Sequence, residues 1–319
     1  MVEQPLVYIL LLNYRGVPET FACLDSLRYL DYPNYRILVI DNNSPDDSLS
    51  KLHARLKMEP GEFRLIESQQ NLGFSGGNNL AIRVALEETS KAETSRGETP
   101  SGQDAYIWLL NNDTTVVPDT LTHLVSEAQK TGGLVGSLLL YPDGRYQQVG
   151  TRFNWWNGGS RGYPESAVRD GMSVESLSGA SMLIPLKAIR KAGLMDESFF
   201  LYFEDGEASL RYIRAGFPLT VSTQSKVFHI ESATTGGKSL RTQYYFHRNR
   251  LRLLMMYANP LQKLTILAYA IFRLARSIVK SRLSNQPERR LSAQVHEIAV
   301  RDFLKGVDGP CPHNLEALR

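Results

Sequence analysis

Tyr106-Ile107-Trp108-Leu109-Leu110-Asn111-Asn112-Asp113-Thr114 runs an unbroken apolar stretch straight into a polar end that holds one carboxylate. A short continuous apolar run predicts a strand covered on both faces, and in an open α/β sheet ligands and metal ions gather at the carboxyl ends of such strands. One Asp at one strand end decides little. Other segments repeat the arrangement: Leu6 to Leu12 ends in Asn13-Tyr14, Tyr35 to Ile40 ends in Asp41-Asn42-Asn43-Ser44, and Glu204-Asp205 stands before a helical run. These ends meet only if their strands share one edge of one sheet.

Around that stretch, short apolar runs alternate with helical patterns. Helices are predicted near Val17 to Tyr29, Asp46 to Lys57 and Ser75 to Glu88, with a strand at Phe63 to Ile66 and a helix beginning near Pro118. Such alternation predicts an α/β fold with a mainly parallel sheet and helices on both faces. Residues 89–104, polar and without apolar periodicity, read as a mobile surface insertion. Beyond Gly132 come shorter strands and Gly-rich loops, then helices near Asp205 to Ala215 and Arg241 to Tyr257. A nucleotide-binding half over about 1–132, a second half over about 133–257 and a C-terminal amphipathic helix with a loosely ordered tail over 258–319 complete the expected organisation.

The net charge of +3 does not point to nucleic acid as partner. Cys23 and Cys311 lack metal-ligand spacing, which fits a reducing compartment. No secretory signal is visible at Met1 to Pro5, and no apolar run reaches the ~20 residues that span a bilayer. The expectation is a cytoplasmic protein, with room for a peripheral contact at the inner face of the cell membrane. The source of that contact is Pro260 to Leu283, where Leu264, Leu267, Ala268, Ile271, Leu274, Ala275, Ile278 and Val279 share a helical face and Arg273, Arg276 and Lys280 gather opposite. Packing on its own domain or in a homodimer is the competing reading of the same helix.

Asn71-Leu72-Gly73-Phe74-Ser75-Gly76-Gly77-Asn78-Asn79 lies between a predicted strand and a predicted helix. Glycines there let a ligand approach the backbone, and a helix N-terminus offers free amides to an anion. A tight turn explains the same residues equally well, and neither the P-loop nor the GxGxxG spacing is present. Together with Asp41-Asn42-Asn43-Ser44, Asn111-Asn112-Asp113-Thr114, Ser178-Gly179-Ala180-Ser181-Met182-Leu183-Ile184 and Asp196-Glu197-Ser198-Phe199-Phe200-Leu201-Tyr202-Phe203-Glu204-Asp205, in that order, the segment resembles family 2 glycosyltransferases of GT-A fold, closest to the rhamnosyltransferase-like branch. The resemblance covers roughly Leu6 to Tyr257.

The resemblance implies roles position by position. Asp41 would bind the nucleobase with Asn13 and Tyr14, and Asn71, Gly76, Gly77, Asn78 and Asn79 would line the same pocket. Asn112 would lie near the ribose. The family's DxD element stands here as Asn111-Asn112-Asp113, so Asp113 alone would bring a carboxylate to a divalent cation, Mg2+ or Mn2+, with His229 as companion. Asp205 would be the general base in an inverting transfer and Glu204 would orient the acceptor. Glu207 replaces the family's usual second Asp. Arg248 could meet the diphosphate. Trp155 and Trp156 read as an acceptor platform or as ordinary packing.

The expected activity is metal-dependent transfer of a sugar from a nucleotide-diphosphate donor, dTDP-rhamnose first and a UDP-sugar such as UDP-galactofuranose or a UDP-hexose as alternative. A glycan or lipid-linked hydroxyl would accept it in cell-envelope polysaccharide biosynthesis. A sugar nucleotidyltransferase would want a Gly-rich basic loop after the first strand, where this chain has Leu12-Asn13-Tyr14-Arg15-Gly16. A non-catalytic glycan-binding protein would have little use for Asp113, Asp205 and His229 together.

Overall fold

The computed structural model describes residues 4–95, 105–230, 239–283 and 285–318. In chain order the elements are β1 (Leu6–Asn13), α1 (Val17–Leu27), β2 (Tyr35–Asp41), α2 (Ser48–Met58), β3 (Arg64–Glu67), α3 (Gly73–Ser95), β4 (Ala105–Asn111), β5 (Thr114–Val116), α4 (Thr120–Thr131) and β6 (Leu134–Leu140). There follow β7 (Tyr146–Gln148), β8 (Thr151–Asn154), β9 (Gly159–Gly162), β10 (Ser181–Pro185), α5 (Leu186–Ala192), α6 (Glu204–Arg214), β11 (Leu219–His229), α7 (Leu240–Tyr257), α8 (Pro260–Arg282) and α9 (Pro287–Leu304).

The main sheet runs β3-β2-β1-β4-β10-β6-β11-β5, with β7 paired to β6. Its first four strands are parallel neighbours, while β10 enters antiparallel to both β4 and β6. Side-chain alternation explains the continuous apolar runs. Val7, Ile9 and Leu11 of β1 and Tyr106, Trp108 and Leu110 of β4 enter a core shared with Leu24 and Leu27 of α1 and Leu121 and Leu124 of α4. Tyr8, Leu10, Ile107 and Leu109 enter the opposite core, against Ala81, Ile82 and Ala85 of α3 and Ala208 and Tyr212 of α6. The predicted α/β sheet with helices on both faces is therefore the observed one.

Register aligns the polar ends. Asn13 pairs with Asp41 across β1 and β2, and Leu12 pairs with Asn111 across β1 and β4. The short β5, antiparallel to β11, sets His229 opposite Thr114.

Two expectations need correction. Helix α3 continues through residues 89–95, so the predicted insertion is helical there; residues 96–104 lie outside the described residues. The tail expected to be loose forms α9, which buries Ala293, Val295, Ala299 and Val300. Pro287 stands in the first turn of α9, where its missing N–H costs nothing. Helix α8 begins as predicted, with Asn259 and Gln262 forming a reciprocal cap. It packs through Ile266 and Ala270, and Leu264, Ile271 and Val279 of its predicted apolar face stay exposed.

Candidate functional site

Helix α6 begins at Glu204 because of an unusual loop. Phe200, Tyr202 and Phe203 hold φ values of 64, 67 and 71. Bulky side chains seldom occupy this left-handed region, and each such residue costs ~1–3 kcal/mol unless its surroundings impose it. Asn249, fully buried on α7, supplies the constraint: its Nδ2 lies 2.7, 2.8 and 3.0 Å from the carbonyls of Phe199, Leu201 and Tyr202. The loop delivers Glu204 and Asp205 to the first helical turn, where the dipole favours carboxylates.

Asp205 is held by backbone amides. Gly179 N–H donates to Oδ2 at 3.0 Å and Gly206 N–H to Oδ1 at 2.7 Å. Burial nevertheless raises its pKa, those amides acting against the shift. Glu204 is pushed well above the usual carboxylate range, first by burial and then by the Asp205 charge, and its Oε2 has no partner among the described residues. Both carboxyls are thus shifted upward by burial, and Glu204 by the Asp205 charge as well. Glu207, also buried, is fixed by Arg211 at 2.9 Å and by the Tyr257 hydroxyl at 2.8 Å.

The raised Glu204 value has a consequence for stability. A carboxyl whose folded pKa exceeds its unfolded one adds stability at low pH and loses it as pH rises toward the folded value. Glu204→Gln should abolish that loss, flattening the urea midpoint against pH above the ordinary glutamate range. A mutant curve that still falls in parallel with the parent sinks this account.

Asp205 joins the strand edge through a short backbone relay. Gly179 gives its amide to Asp205, and the carbonyl of neighbouring Ala180 accepts the amide of Asn111 at 3.0 Å. Just beyond, Asp113 Oδ1 and His229 Nε2 stand 3.3 Å apart, both residues buried. Gln147 Oε1 lies 2.9 Å from His229 Nδ1, which places the hydrogen on Nδ1 and leaves the Nε2 lone pair facing Asp113 and Asn111. That tautomer and carboxylate suit a divalent cation with two protein ligands. Such a cation needs further oxygens, and no group of at least three His, Cys, Asp or Glu is assembled among the described residues. A diphosphate is a fitting source of the rest.

At the ends of β1 and β2, Asp41 takes the Asn13 Nδ2 hydrogen at 2.9 Å and the Ser44 amide at 3.0 Å. Asn13 is fixed from its other side by the Thr20 hydroxyl, which also receives a hydrogen from Asn112. Each Asp41 oxygen keeps acceptor capacity. Tyr14 lies half-buried beside this pocket, with Arg15 over its ring.

The remaining candidates are committed elsewhere. Asn71 and Asn42 tie the loop ahead of α3 to β2. Asn78 bonds the Phe74 carbonyl, and Asn79 bonds Met195 and Glu197. A Cβ on Gly76 would crowd Leu72 of the loop ahead of α3 and one on Gly77 would collide with Leu12, so Gly77 lets α3 approach β1. Arg248 is 1% exposed and donates to the Phe199 and Gly309 carbonyls, so it braces the loop before α6. Trp155 is anchored by Glu175 at 2.6 Å, whereas Trp156, at the same β8–β9 turn, is exposed. Sequence reasoning gave no role to Asn249, Gly179, Gln147 or Ser44, because each acts through a contact distant in sequence or through backbone.

A model of glycosyl transferase family 2 matches residues 13–184. Over 229 residues the chain is 26% identical to the O-antigen biosynthesis protein RfbC of Myxococcus xanthus, aligning 67% of this chain with 16% of that protein. It is 24% identical over 246 residues to the N-acetylglucosaminyl-diphospho-decaprenol L-rhamnosyltransferase of Mycobacterium tuberculosis (strain ATCC 25618 / H37Rv), covering 72% of this chain and 77% of the other. The chain spans only 16% to 22% of the length of the first curated relatives it matches. Among solved structures, GalNAc-T7 with UDP, GalNAc and Mn2+ superposes with a TM-score of 0.62 at 14% identity, over 96% of this chain and 57% of that one.

Proposed function

This chain belongs to glycosyl transferase family 2, and on that premise we propose that it moves a sugar from a nucleotide-diphosphate donor to an acceptor hydroxyl with inversion. The observation that carries the proposal is the hydrogen-bonded relay joining Asp205 to the Asn111–Asp113 edge through Gly179 and Ala180. It sets a candidate base next to the place where a donor diphosphate would be held.

In this reading Asp41 and Asn13 receive the nucleobase, and Asp113 with His229 would hold a divalent cation. When bound, that cation supplies charge neutralisation for a departing diphosphate. Asp205 takes the proton of the acceptor hydroxyl as its oxygen bonds the anomeric carbon and the carbon–oxygen bond to the diphosphate breaks. Glu204, beside it with a raised pKa, would orient the acceptor, and exposed Trp156 offers a stacking surface.

We take dTDP-rhamnose as the donor, supported by the name of the mycobacterial relative, and a glycan or lipid-linked hydroxyl as acceptor. Thymine and uracil present the same imide edge to Asp41, so a UDP-hexose or UDP-galactofuranose is the alternative donor. A thermal-shift screen of nucleotide sugars with and without Mn2+ separates them. The donor should stabilise the protein only with the metal, and Asp113→Ala should weaken that binding by at least ~10-fold, as loss of a ligand exceeds loss of its supporting contacts. Unchanged binding by the variant in Mn2+ would remove Asp113 from the metal site.

A further inference from the structure

Helix α8 presents an apolar stripe that nothing in the described chain covers. Leu261, Leu264, Ala268, Ile271, Phe272, Ala275, Val279 and Leu283 recur every three or four residues and are exposed, Leu264 at 66% and Phe272 at 57%. The helix packs on α7 and α9 through its other side, where Ile266 and Ala270 are buried. Isolated exposed apolar residues need no explanation, but a continuous stripe along a 23-residue helix does.

The charge around this stripe has one sign. Between Pro260 and Arg282 the sequence holds Lys263, Arg273, Arg276, Lys280 and Arg282 and no acidic residue. All but Arg273 are exposed. Beneath the helix, Arg250 of α7 is buried with its Nε unpartnered among the described residues, and the nearest charge acting on it is Arg273. The adjoining His247 and His296 rings stack at 4.0 Å, and burial first, with these arginines, brings them down to about 3 and about 4, so they are neutral at pH 7. The positive charge of this face is therefore set by Lys and Arg, and among the described residues none of the helix's Lys or Arg side chains forms an ion pair with a carboxylate.

No helix among the described residues is long and apolar enough to cross a membrane. A second copy docked stripe to stripe would meet a helix whose charged residues are all basic, with no acid on either helix to pair with them. An anionic surface offers both an apolar interior for the stripe and opposite charge for its border.

We propose that α8 is a peripheral membrane-docking element that lies along an anionic lipid surface, with Leu264, Ile271, Phe272 and Val279 inserted among the acyl chains and Arg276, Lys280 and Arg282 at the headgroups. Docking rests on surface chemistry alone and stands or falls independently of the catalytic assignment. The test is co-sedimentation of the full chain with vesicles of phosphatidylcholine, or of phosphatidylcholine containing about one third phosphatidylglycerol, at low and high salt. The anionic vesicles should retain the protein, and neutral vesicles or high salt should release most of it. Ile271→Glu with Phe272→Glu, and separately Arg276→Glu with Lys280→Glu, should each lower retention by ~10-fold or more while far-UV circular dichroism stays at the parent level. Equal retention on neutral and anionic vesicles, no retention on either, or a dimer in solution that the Ile271→Glu, Phe272→Glu variant dissociates would overturn the proposal.

Discussion

Asp205→Asn should lower sugar transfer by ~100-fold or more, the contribution typical of a positioned base, while donor affinity changes little. The amide keeps the size of the carboxyl and can still accept from Gly179 at one oxygen. It loses the capacity to take a proton, together with the acceptor oxygen that one of the Gly179 and Gly206 amides now meets. Because burial raises the Asp205 pKa, the parent rate should fall on the acid side at a pH above the ordinary aspartate range. Glu204→Gln should keep that limb, because the group that titrates in it is Asp205. Single-turnover assays over pH decide both points: near-parental turnover by Asp205→Asn ends the assignment, and an acid limb that moves in Glu204→Gln transfers it to the neighbour.

Asn249→Leu should be the most damaging change outside the reacting groups. It keeps the volume but strips the amide that faces the Phe199, Leu201 and Tyr202 carbonyls. Buried polar groups left without partners cost ~1–3 kcal/mol each, so a urea midpoint well below the parent value is expected. Asn249 acts through position. Once Phe200, Tyr202 and Phe203 relax from their left-handed conformation, Glu204 and Asp205 no longer start α6 at the same point. The kcat should then drop with little change in donor KM, as the donor pocket stands on other strands. A loss of stability with kcat intact would leave Asn249 a purely structural residue.

The parts of this molecule legible from sequence are those governed by neighbours along the chain. Apolar runs of strand length, each followed by a helical pattern, could satisfy their backbone and bury both faces only as a sheet between helix layers, so Asn13, Asp41 and Asn111 fell on one edge without further information. Asp113 and His229 were found as residue types, and their meeting depended on β5 running antiparallel to β11.

Contacts within the folded chain were not legible in the motifs. Asn78, Asn79, Gly76, Gly77 and Arg248 sit in motifs that suggest ligand contact, and the structure adds their contacts with Phe74, Glu197, Leu72, Leu12 and Gly309. The tail read as loosely ordered because local propensity is blind to the buried face that α9 gains against α7 and α8.

The sequence by itself determined the α/β class, the positions of the strand ends and the residue types held there, since hydrophobic period and burial of both sheet faces leave one consistent arrangement. The tertiary structure alone decided the surroundings of each polar group. Desolvation raises the Glu204 pKa, and long-range contacts aim His229 Nε2 at Asp113 and commit Arg248 to carbonyls, and those are properties of the surroundings rather than of the residue.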